Sequence, residues 1–158
     1  MLIRDLIDAG PPFVERAERF KDIKFDISTV MAIGLSNTIS IGDFVAHLVP
    51  LSNLERVIEV FETLLDTRDL WKELDTVRVR SPRGGKTKMF ESLRTSIYQN
   101  LSETFRLRHI LAHELAPDGR LTPSQVHVLL LSTTLFGLSL DNVVLRMIST
   151  NREPSDPE

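Results

Sequence analysis

A chain of 158 residues that is 42% hydrophobic and 26% charged has the usage of a packed globular domain, which excludes a disordered or collagen-like chain and requires no second domain. The absence of cysteine excludes a disulfide framework, a thiolate zinc site and a cysteine nucleophile, and it leads us to expect a cytoplasmic location. The net charge of −3 argues against indiscriminate nucleic-acid binding, because domains built for that commonly have a pI above roughly 9.

The N-terminus carries Arg4, Asp5 and Asp8 where a signal peptide would stay apolar, so no export is expected. Pro11-Pro12 opens a short amphipathic helix through about Phe20, since proline is tolerated in a first turn and Phe13, Ala17 and Phe20 recur at helical spacing. From Asp26 to Val49 the apolar pattern, interrupted by Gly34 and Gly42, predicts one or two helices joined near Asn37, the second starting close to Ser40. Pro50 stops it. Ser52 then caps a helix to about Trp71, with Leu54, Val57, Ile58, Phe61, Leu64 and Leu65 as its apolar stripe.

Val77-Arg78-Val79-Arg80 alternates like a strand before Ser81-Pro82-Arg83-Gly84-Gly85, and of hairpin and basic loop the loop is preferred. Met89 to Glu114 keeps a period near 3.6 without Gly or Pro, predicting one long helix or two abutting ones. After the turn Pro117-Asp118-Gly119-Arg120, Thr122-Pro123 launches a strongly apolar helix to about Met147. Polar residues break the apolar runs before the roughly 20 positions a membrane span needs, so no membrane association is expected. The expected architecture is all-α, a four- or five-helix bundle forming one domain over residues 1–150, with a flexible tail over 151–158.

Charge is segregated. Acids dominate from Leu51 to Asp75, whereas Arg78, Arg80, Arg83, Lys86 and Lys88 follow without an acid between them. These cations, with Arg106, are candidates for contacting RNA phosphates without reading sequence.

The chemically loaded stretch is Arg108-His109-Ile110-Leu111-Ala112-His113. An arginine and a histidine five apart are common by chance, so context must carry the reading. On a helix, with Arg108 at 0°, Ala112 falls near 40°, His109 near 100° and His113 near 140°, while Leu107, Ile110 and Leu111 fall at roughly 200 to 300°. One side is expected to pack and the other to stay polar, with only the Ala112 methyl between the cation and the distal histidine. Metal-free RNA cleavage needs a base for the 2′-hydroxyl proton, an acid for the leaving oxygen and a cation for the pentacoordinate phosphate. His113 can exchange protons at neutral pH, Arg108 offers a forked donor to phosphate oxygens, and His109 can orient either or bind phosphate itself.

These residues resemble the HEPN superfamily, whose mark is an arginine, a polar residue, three variable positions and a histidine on a helix of a small bundle. The likeness covers Phe105 to Glu114 and extends into the apolar helix after Thr122, the second half of the chain. It implies a metal-independent endoribonuclease without a cofactor, acting as a homodimer with a composite site, leaving 2′,3′-cyclic phosphate ends, and serving as a toxin or defence component with a cognate antitoxin or regulatory protein. The tyrosine that often follows the motif histidine by two residues in HEPN toxins is replaced here by Leu115, so control through it is not implied. A two-fold axis would also answer the geometry, letting each histidine face the partner's arginine. The alternative is a non-catalytic helical module that binds RNA or a protein.

Other motifs fail. His109 and His113 lack the glutamate that zincins place after the first histidine, since Ile110 stands there. Gly84-Gly85-Lys86-Thr87 resembles the end of a phosphate-binding loop, but Arg80 occupies the place of its first glycine. His47 and His127 are expected at the core edge, and Trp71 and Tyr98 as packing aromatics.

Overall fold

The computed structural model describes residues 2–20, 31, 39–80, 87–113 and 121–151, and these residues are predominantly helical. Contacts group the chain into two compact units: Met1–Leu51 with Arg56–Arg68 and Val144–Glu158, and Ser52–Glu55 with Asp69–Val143.

In the first unit, α1 (Leu2–Asp8) buries Ile3, Leu6 and Ile7, a periodicity that the charges around it obscured. Gly10 ends it at φ 134°, a backbone only glycine adopts without strain, and Pro11 opens α2 (Pro11–Ala17), which buries Phe13 and Ala17. α3 (Ile41–Leu48) starts where expected. Ser40 accepts a hydrogen bond from the Asp43 N–H at 3.0 Å, and the Asp43 carboxylate accepts one from the Ser40 N–H at 3.1 Å, a reciprocal cap. α1 packs on α3. Asp8 clamps the pair by accepting from the Ser40 hydroxyl at 2.7 Å and from the Gly42 N–H at 3.0 Å.

The helix expected from Ser52 to Trp71 is two helices, α4 (Leu54–Leu65) and α5 (Leu70–Asp75). Asp66 stands between them at φ 53°, held by the Arg19 guanidinium at 2.9 Å, and Asp69 caps α5 by accepting from the Lys72 N–H. Aspartate tolerates the left-handed backbone and caps helices, so it interrupts a stripe whose apolar period continues.

In the second unit, the preferred loop is instead a hairpin. β1 (Arg78–Arg80) pairs antiparallel with β2 (Thr87–Met89) in the register Arg78↔Met89, Val79↔Lys88, Arg80↔Thr87. Val77 and Val79 are buried, and the Phe90 N–H donates to the Val77 carbonyl at 2.9 Å, which anchors both strands to the core. A 3-10 turn at Phe90–Leu93 leads into α6 (Arg94–His113), and α7 (Pro123–Asn151) follows with Thr122 and Gln125 bonding reciprocally at its start. Trp71 gathers Phe90, Tyr98 and Phe136 at centroid distances of 6.3, 5.7 and 5.9 Å, with Arg94 over its ring. The packing role expected of Trp71 thus arises from residues remote in sequence, whereas Tyr98, 43% exposed, meets it only at the rim of the cluster. His47 and His127, by contrast, are exposed rather than at the core edge.

Among the described residues α7 alone is long and apolar enough to cross a membrane, because hydroxyl residues rather than charges break its apolar run. Its face carrying Leu135, Phe136, Leu140 and Val143 is buried core, and the Ser132 hydroxyl, buried on that side, accepts from Asn100 of α6 at 2.8 Å. The first predicted helix of the 26–49 stretch, the turn at 117–120 and the tail after Asn151 lie outside the described residues.

Candidate functional site

α6 carries the whole motif in its last two turns, with His113 as its final residue. Its sides line two separate cavities. Thr104, Leu107, Arg108 and Leu111 face Leu121, Val126, Leu129, Leu130 and Thr133 of the α7 region across an open groove of about 350 Å³. Ser102, Phe105, Arg106 and His109 line a second cavity, of about 390 Å³, with Ser52–Glu55. The helix period accounts for the division: relative to Arg108, the first set spans an arc from about 260° to 0° and the second from about 60° to 160°.

The expected separation of polar and packed sides is therefore corrected. Leu107 and Leu111 share the groove of Arg108 instead of lying opposite it, and Leu111 remains 63% exposed because the apolar wall of α7 does not close over it. Leu130, across the groove, is also 63% exposed. Arg108 is exposed and Ala112 is exposed beside it, so the small residue in the middle of the motif leaves the surface accessible. His109 does not join Arg108: it lines the other cavity. The helical register places position 113, near 140°, on the arc of His109 and not on that of Arg108.

Of the cations proposed to guide RNA, Arg78 and Arg80 are exposed and share one face of β1, whereas Lys88 pairs with Val79 and belongs to the opposite face. Arg83 and Lys86 lie outside the described residues, as do Glu114 and Leu115. Arg106 is exposed and grips Glu103 through two hydrogen bonds of 2.7 and 2.6 Å, and these hold the Glu103 carboxyl below the usual carboxylate range. Its charge is thereby largely balanced. Among the described residues no group of three or more His, Asp or Glu side chains is arranged to hold a metal ion.

Sequence reasoning missed Ser52–Glu55 as neighbours of the motif. Their only local signal is that of a helix start, and roughly fifty positions separate them from His109. No family model, curated protein or solved structure matches the chain.

Proposed function

We propose that the chain is a metal-independent RNA endonuclease with a HEPN-like helical bundle, working as a homodimer whose composite sites each take Arg108 from one copy and His113 from the other. The observation that carries this reading is the position of Arg108 on an open groove with half-exposed or exposed apolar walls, on a different arc of α6 from His113. A second copy would cover Leu111 and Leu130 and bring the two groups together, which a single helix opposes by about 140°.

In the proposed reaction, neutral His113 takes the 2′-hydroxyl proton while the 2′-oxygen attacks the adjacent phosphorus. Arg108 donates to the two non-bridging oxygens as the pentacoordinate phosphate forms. The bond to the 5′-oxygen breaks, His113 passes the proton it has taken to that oxygen, and the products are a 2′,3′-cyclic phosphate and a 5′-hydroxyl. Arg78 and Arg80 would hold flanking phosphates. A toxin or defence role, restrained by a partner protein in the cytoplasm, suits such an activity.

The experiment is cleavage of single-stranded RNA in EDTA. The wild type is expected to give cyclic-phosphate ends, and His113→Ala and Arg108→Ala are each expected to lower the rate by at least about a hundredfold. Equal degradation by wild type and His113→Ala would overturn the proposal. Binding that survives both substitutions, with the RNA left intact by the wild type, would establish the non-catalytic module in its place.

A further inference from the structure

We infer that the cavity on the His109 side of α6 is a nucleobase pocket that receives guanine in preference to uracil, an inference that rests on the RNA reading above. Its volume of about 390 Å³ lies within the range of small-ligand pockets, roughly 300 to 1,000 Å³. Its two walls, Ser52–Glu55 and the stretch of α6 from Ser102 to His109, belong to the same compact unit.

The lining chemistry distinguishes a base from a phosphate. A phosphate pocket needs excess positive charge, but here Glu55 contributes a carboxylate and Arg106 is already paired with Glu103. What the cavity offers instead is the half-buried Phe105 ring, on which a planar base can stack, beside the imidazole of His109. Around these stand the Asn53 amide, the Ser102 hydroxyl and the Glu55 carboxylate. An ionised carboxylate only accepts hydrogen bonds. Guanine presents an imino N–H and an amino N–H side by side and satisfies both carboxylate oxygens, whereas uracil presents one N–H flanked by two carbonyl oxygens that repel the carboxylate.

His109 precedes His113 by four positions, one helical turn and about 6 Å along the axis, on the same arc of α6. A base held at His109 thus belongs to a nucleotide next to the phosphate at the motif. His109, Phe105 and Glu55 become specificity residues, separate from the chemistry assigned to Arg108.

The test is calorimetric titration of the full chain with guanosine 5′-monophosphate, uridine 5′-monophosphate and ribose 5-phosphate. Guanosine monophosphate is expected to bind about tenfold tighter than either of the others, and Phe105→Ala to remove about tenfold of that affinity. Glu55 is exposed, so Glu55→Gln probes the pocket without disturbing the core, and it should abolish the preference for guanosine over uridine. Equal binding of guanosine monophosphate and ribose 5-phosphate, or a preference unchanged in Glu55→Gln, would overturn the inference. These ligands contain no scissile internucleotide bond. Guanosine-selective binding by a protein that leaves RNA intact would sink the nuclease reading alone, and RNA cleavage without guanosine selectivity would sink the pocket alone.

Discussion

At Gly42 the contact between α1 and α3 is so close that a Cβ would lie 2.5 Å from the Arg4 carbonyl oxygen and 2.6 Å from Asp8 Oδ1. The first of these is backbone and cannot swing aside. In this first turn alanine gains less than the roughly 1 kcal/mol of a helix interior, whereas forcing two backbones apart costs on the order of 1–3 kcal/mol and also stretches the Asp8 clamp. Gly42→Ala should therefore lower the melting temperature by several degrees. Gly137, in α7, is the control: nothing lies within 4 Å of its Cβ position, so Gly137→Ala should raise the melting temperature by a few degrees through helix propensity alone. Calorimetric melting of the two variants beside the wild type checks both signs. At the candidate site, the residue scale separates neighbours in sequence, since Arg108 and His109 look into different cavities.

At the scale of elements, the caps have a pH signature. The Ser40 N–H, donating to the Asp43 carboxylate, holds that carboxyl below its ordinary value, with Arg4 assisting. A carboxyl whose pKa is lower folded than unfolded stabilises fully above the unfolded value, near pH 4, and loses that contribution as pH falls through the folded one. Asp43→Asn should thus be less stable than wild type at neutral pH, and the gap should narrow as denaturation is followed down toward about pH 3. A constant gap across that range would remove the ionised cap from the account.

The start of α3 close to Ser40 was legible, though not the reciprocal bond with Asp43, and so were the starts of α2 and α7 at prolines and the buried stripe of α4. The break at Asp66 was not legible, because apolar periodicity runs on through it and the arginine that holds it lies 47 positions away. The hairpin was legible as alternation and was placed below the loop for a similar reason: Val77 and Val79 acquire their burial from partners that alternation alone does not name. Of the site, the helix could be read from its period, whereas the division of α6 between two cavities depends on Ser52–Glu55 and α7, which no local pattern assigns to it.

At the scale of the whole molecule, the proposed composite site makes a quantitative claim about mixtures. In a two-fold dimer each site takes Arg108 from one copy and His113 from the other. Arg108→Ala and His113→Ala homodimers each lack one group at both sites and should be inactive. A heterodimer of the two variants contains one site with neither group and one with both. If subunits exchange at random from equal amounts, half the dimers are mixed and each holds one intact site of two, so the mixture should recover about a quarter of wild-type RNA cleavage. Introducing Leu130→Glu into both variants places a charge on the 63% exposed leucine of the groove wall and should abolish the recovery by preventing association, which sedimentation would register as monomer. A site completed within one chain gives no recovery in any mixture. The measured fraction therefore distinguishes two chains sharing a phosphate from one helix bending its own arginine around Ala112.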